Sequence, residues 1–294
     1  MTEGLDASGS VVRRWQLAAA LKAQREQAGL TQEQAIDRLG AGEGKWSRSK
    51  LSRVENREHH VKPREVEQLL DAYGVTDTDT RDALVQLAAP PRERGWWLSF
   101  GGELPEYWRS LLGLESGLIG LRDFQNQLVH GLLQTADYAR ALAMSINPGV
   151  LGPAELERRA ALRVARQQIL AKDPPPRLHF ILDETILQRL IGDRIVMHGQ
   201  MRKLLQATEQ PNVTVQVLPR DVGGSPGLEG PFTLLTLPAP IPDIGHTESA
   251  AGTLYVEDRD KVRQWTLRFG ILTQRSLSCQ ESAELIAEAM HNYE

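Results

Sequence analysis

The chain has 294 residues, enough for two domains, with 41% hydrophobic and 24% charged residues and a net charge of −4. That balance marks an ordinary soluble globular protein without the Gly and Pro excess of disorder, and no apolar run is long enough to cross a bilayer. The first fifteen residues carry no secretory signal, and Cys279, the only cysteine, permits no internal disulfide and fits a reducing cytoplasm.

The charge is unevenly spread. Residues 13–64 hold 12 Lys and Arg against 6 Asp and Glu, while the rest of the chain holds 22 against 32. A basic module on an acidic body points to a polyanion partner at one end only.

In chain order, residues 1–12 read as a flexible leader. From Trp15, the residues Leu17, Ala20, Leu21 and Ala28 follow helical spacing, and Gly29 supplies a left-handed stop. Thr31 opens a second helix with the capping box Thr31-x-x-Gln34, and Ala35, Ile36 and Leu39 form its buried side before Gly40. A glycine-rich turn leads to a third helix over residues 47–55, in which Leu51 and Val54 point inward. A fourth helix starts at Pro63 and buries Val66, Leu69, Leu70 and Tyr73; a fifth over 79–88 completes an all-α domain of five helices, residues 13–89.

Pro90-Pro91 marks the boundary. Trp96, Trp97, Phe100, Tyr107 and Trp108 follow, and read as core or interdomain surface rather than a binding platform. Helices are predicted over 111–127, 134–143 and 154–171. After Pro174-Pro175-Pro176 the short runs LHFILDE, NVTVQVLP, FTLLTLP and TLYVED read as strands, with helices over 184–191 and 195–208 between the first two. A capping box at Ser278 and Glu281 opens the last helix. The expected fold is α+β: the helical domain, then residues 90–294 as an α+β domain with a small mixed sheet.

Residues 31–56 form a helix-turn-helix pattern whose second helix suits the major groove of DNA. Arg48 is a residue able to hold guanine O6 and N7 in a paired fashion, and Ser47, Ser49, Lys50 and Arg53 share its side and leading end. Gln32, at the start of the second helix, is placed for phosphate, as are Lys45 and Arg57.

The stretch AQREQAGLTQEQAIDRLG…WSRSKLSRVENRE resembles the phage-repressor-like helix-turn-helix regulators of the xenobiotic-response-element group, over about residues 14–75. The resemblance implies an ion pair between Arg25 and Glu55 and a phosphate contact at Asn56. The turn lengthened by residues 41–45 departs from that pattern. In the second domain GLLQTADYARAL, ARQQIL, LHFILDE, NVTVQVLP, GGSPGLEGPFTLL and YVED fall in the order of WhiJ-like actinobacterial regulators. That resemblance implies an antitoxin-like or developmental regulator that pairs with a small BldB-like partner protein.

The expected partner is therefore double-stranded DNA, an operator of inverted-repeat form held by a homodimer, with 90–294 as the regulatory, dimerisation and partner-binding domain. The alternative is a small-molecule sensor, its pocket enclosed by the apolar strands and the tryptophan-rich segment. An enzyme centred on Asp183 and Glu184 is disfavoured, because no set of catalytic roles assembles around them. No cofactor and no metal site is expected: HExxH and paired CxxC motifs are absent, His59-His60 reads as a solvated loop pair, and residues 223–227 lack the Lys-Ser/Thr of a phosphate loop.

Overall fold

The computed structural model describes residues 10–40, 46–89, 106–249 and 252–294. They divide into two units, Met1–Gly117 with Leu237–Pro242, and Leu118–Thr236 with Asp243–Glu294. Lys45 with its lengthened turn, Trp96, Trp97, Phe100 and the start of the leader lie outside the described residues.

In the first unit, α1 (Ser10–Gln27) begins inside the stretch read as leader, because Val12 is fully buried and extends the apolar side of the helix by a turn. The capping box of α2 (Gln32–Leu39) forms: Gln34 N–H donates to Thr31 Oγ1 at 3.2 Å, and Thr31 N–H donates to Gln34 Oε1 at 2.9 Å. Next comes α3 (Arg48–Glu55), capped by Ser47, whose Oγ accepts from Lys50 N–H at 3.1 Å. Pro63 starts α4 (Pro63–Tyr73), and Gly74, at φ 73°, ends it in the left-handed conformation. Asp77 caps α5 (Thr78–Ala88), and α6 (Glu106–Ser116) completes the unit.

Leu21, Leu51, Val66, Leu69 and Leu70 have no exposure and form the centre of one shared core. Each such side chain contributes about 1.5–3 kcal/mol through burial, so helices too short to persist alone are held by packing.

The second unit is a six-stranded mixed sheet with helices. Its elements are β1 (Gly120–Gln125), α7 (Ala136–Ile146), α8 (Pro153–Arg166), β2 (Arg177–Asp183), α9 (Thr185–Gln188), α10 (Arg194–Thr208), β3 (Val213–Leu218), β4 (Phe232–Thr236), β5 (Ile244–Ser249), β6 (Gly252–Val256), α11 (Arg259–Arg275) and α12 (Cys279–His291). The strand order is β3-β2-β1-β4-β5-β6, with β1, β2 and β3 parallel and β4 to β6 antiparallel. The architecture is α+β, as the sequence implies.

One local expectation fails and two elements go unanticipated. The helix read over 111–127 stops at Ser116, and residues 120–125 are a central strand. Arg122 and Asp123 disguise that strand, since charges seldom sit in one buried on both faces; Arg122 is neutralised there by Asp243 at 2.6 Å. The polar run IGHTES forms β5 although it has little β-propensity. Helix α11, overlooked in the sequence, buries only Val262, Phe269 and Leu272, packing against Phe124, Ile181, Phe232 and Leu234.

Candidate nucleic-acid interface

The geometry of α2 and α3 is set by one buried carboxylate at the end of α3. Arg25 on α1 clamps Glu55 in two places, Nε to Oε1 at 2.6 Å and Nη2 to Oε2 at 2.9 Å, with both side chains less than a tenth exposed. The planar guanidinium matches a carboxylate in this paired mode, which fixes orientation as well as distance. Arg25 Nη1 also donates to the Leu30 carbonyl at 2.7 Å, holding the α1–α2 turn. Gln32 Nε2 completes the set by donating to Glu55 Oε2 at 2.8 Å. The first residue of α2, the last of α3 and the body of α1 are thereby tied at one point.

With Leu51 and Val54 inward and Glu55 clamped, the leading end and outer side of α3 face solvent. Ser47, Arg48, Ser49, Arg53 and Asn56 are all exposed. Arg48 extends into solvent and, among the described residues, pairs with Glu33 of α2 at 2.8 Å, both side chains about two-thirds exposed. Asn56, the residue after α3, is held by a 3.4 Å bond to Ser52 Oγ.

Two residues read as DNA contacts are drawn elsewhere. Lys50 is mostly buried, its ammonium bonded to Glu65 of α4 and seated 4.3 Å from the centroid of the Trp46 ring. Burial pushes Glu65 upward, but its hydrogen bonds to Lys50 and to the Lys62 backbone hold it below the usual carboxylate value. Arg57 stacks its guanidinium 4.0 Å from the centroid of the Trp15 ring. Its backbone is left-handed, φ 65°, in a turn where Arg57 N–H donates to Val54 O and Glu58 N–H to Arg53 O. Gln32, placed on phosphate by the sequence, spends one amide N–H on Glu55 and keeps the second.

The enzyme candidates of the second unit are also committed locally. Asp183 Oδ1 accepts from Thr185 N–H at 3.0 Å and from Thr185 Oγ1 at 2.5 Å, holding the turn into α9, and Glu184 accepts from Arg220 Nε at 3.0 Å and Arg220 N–H at 2.9 Å. Among the described residues no group of three or more His, Cys, Asp or Glu could hold a metal ion, and no helix is long and apolar enough to cross a membrane.

A helix-turn-helix domain model matches residues 16–84, and a domain of unknown function, DUF5753, matches residues 108–288. The chain belongs to the DUF5753 family. No curated protein and no solved structure matches it.

This DUF5753 protein is thus a helix-turn-helix DNA-binding regulator with a mixed-sheet C-terminal domain. The DUF5753 match begins within α6, spans the sheet and ends within α12. Sequence reasoning missed its most unusual polar residue, Asp123. Its strand was read as helix, so nothing marked that carboxylate as buried.

Proposed function

We propose that the protein is a sequence-specific transcriptional regulator of the xenobiotic-response-element type, acting in the cytoplasm on an inverted-repeat operator. The observation that carries this reading is the exposed edge of α3. Arg48 and Arg53 stand free of the core with Ser47, Ser49 and Asn56, on a helix whose end is clamped by the Arg25–Glu55 pair. An eight-residue helix is about 12 Å long and reads one half-site, so two heads are needed for an operator. The C-terminal domain supplies that dimerisation and receives a small partner protein, in the antitoxin-like or developmental arrangement of WhiJ-like regulators. Catalysis has no part in the reading, since Asp183 is bonded to Thr185 and Glu184 is paired with Arg220.

A gel-shift titration tests it. Arg48→Ala should weaken operator binding by about 1–3 kcal/mol and relax preference at one base pair. Unchanged affinity and unchanged preference would sink the assignment of α3. Small-molecule sensing by the C-terminal domain is the second reading, favoured by a buried polar row across its sheet, the register partners Asp123 of β1, Thr233 of β4 and His246 of β5.

A further inference from the structure

Helix α11 uses only one side for the core of the second unit. Val262, Phe269 and Leu272 face the sheet and pack with Phe124, Ile181, Phe232 and Leu234. On the opposite side Asp260, Gln264, Leu267, Ile271 and Gln274 are all exposed, and they follow one another at intervals of four, three, four and three. That alternation is the heptad spacing of a helix-pairing seam, here with an apolar centre between polar ends. Leu267 is 62% exposed and Ile271 41%. Beside the seam Leu228 is 79% exposed, next to Glu229, which accepts from both Nη atoms of Arg268.

The order of residues along the seam indicates what covers it. Read from either end, the central types are the same: glutamine, aliphatic, aliphatic, glutamine. A second α11 running the other way, about a two-fold axis midway between Leu267 and Ile271, sets Leu267 on Ile271 and Gln264 on Gln274 twice over. A two-fold contact requires this self-complementarity. Each glutamine amide carries both donors and an acceptor, so the facing pairs can satisfy one another. Charge selects the same direction. The first turn of α11 holds Asp260 and the last holds Arg275. Antiparallel copies bring Asp260 toward the partner's Arg275 and lay the positive end of each helix beside the negative end of the other. Parallel copies would set like charges together at both ends. Arg275 donates from Nη1 to the Gly224 carbonyl at 2.7 Å, which uses one of its five N–H groups.

We propose that α11 is the homodimer interface of this protein, an antiparallel pair of helices from two chains centred between Leu267 and Ile271. The proposal rests on the reading that the C-terminal domain pairs two chains, and deepens it by naming the surface. A seam about 25 Å long is a small interface, so the free dimer should exchange with monomer in roughly the micromolar range. An operator with two half-sites would then hold the pair together.

Sedimentation velocity of the full chain over a concentration series, without DNA, tests it. The natural chain should pass from monomer to dimer. Leu267→Glu puts a charge in the apolar centre and should raise the dissociation constant about tenfold or more, with the circular dichroism unchanged because the position is exposed. Two double variants read the direction. Gln264→Glu with Gln274→Glu sets like charges face to face and should weaken the dimer. Gln264→Lys with Gln274→Glu sets opposite charges face to face in an antiparallel pair, and should dimerise at least as well as the natural chain. A natural chain that stays monomeric at every concentration overturns the proposal together with the homodimer reading beneath it. A dimer that Leu267→Glu and the paired glutamates leave intact overturns the proposal alone, since the two chains then meet elsewhere. Equal weakening by both double variants overturns the antiparallel pair.

Discussion

Glu55 and Asp123 are both carboxylates with almost no exposure, one in each unit, and the chain surrounds them in opposite ways. Glu55 receives three donors on two oxygens, two from Arg25 and one from Gln32. Among the described residues, Asp123 receives two on one oxygen and none on the other, with no cation bonded to it. The first is closed, and its product is geometry: α2 and α3 keep a fixed angle while Arg48 and Arg53 stay exposed. The second is open, and burial drives its carboxyl up to about 7. A satisfied buried charge acts as a brace; one with an unfilled oxygen carries a desolvation cost instead, and burial raises its proton affinity.

The sharpest way to break this contrast is to make Glu55 resemble Asp123. Arg25→Met leaves Glu55 buried without its cation and should cost about 3–5 kcal/mol of stability, read as a lowered denaturant midpoint. Operator binding should fall with it, because α3 loses its anchor. A loss under about 1 kcal/mol, the worth of a surface pair, would show that the brace is not closed.

The reverse change removes the open charge. Folded Asp123 titrates near 7 against an ordinary 3.8. Between those values it holds a proton that the unfolded chain releases, so its contribution to stability is complete below 3.8. That contribution then falls as pH rises, by about 1.4 kcal/mol per unit and roughly 4 kcal/mol in all, and changes no further above about 7. His130, kept neutral by burial, acts in the opposite sense and costs stability only below its ordinary value. Glu248, His246, Arg163 and Arg166 stay in place in both proteins. Asp123→Asn should therefore gain on the natural chain progressively from pH 4 to 7. Parallel stability profiles across that window would remove Asp123 from the account.

Arginines divide along the same line on a smaller scale. Arg57 is turned onto Trp15, so Arg57→Ala should cost about 1 kcal/mol of stability through the lost ring contact. Arg57→Gly should cost less, because glycine tolerates the left-handed φ of 65° at that position. Neither should change the salt dependence of operator binding, which counts phosphate contacts. A flatter salt slope in Arg57→Ala would return Arg57 to the DNA.

What the sequence made legible follows from the range of the interactions concerned. Local signals were enough for α1 to α5: the capping box at Thr31, Pro63 in a first turn, and the inward spacing of Leu51 and Val54. The Arg25–Glu55 pair came from the family resemblance. The destinations of Lys50 and Arg57 were not legible, because they depend on Glu65 and Trp15, 15 and 42 residues away in the chain. Strand β1 was hidden for the same reason. Arg122 and Asp123 look like surface charges until Asp243 and Thr233 are placed beside them. Buried polar sites assemble from distant segments, so the second unit disclosed its strands in part and its polar row not at all.

Arg48 supplies the finest test of the contrast, since its partner is neither buried nor permanent. In the free protein it meets Glu33 at 2.8 Å, with both side chains about two-thirds exposed. Such a pair is worth about 0.2–1 kcal/mol and is weakened by salt, so it cannot act as a brace. For Arg48 to reach a base edge the pair must open, and Glu33 then lies close to the DNA as an uncompensated negative charge. Glu33→Gln removes both obstacles without shortening the side chain. Operator affinity should rise by up to about fivefold, most of it at low salt, with base preference and melting temperature nearly unchanged. If affinity fell instead, Glu33 would be holding Arg48 in its reading position, and this exposed pair would belong with Glu55 among the braces.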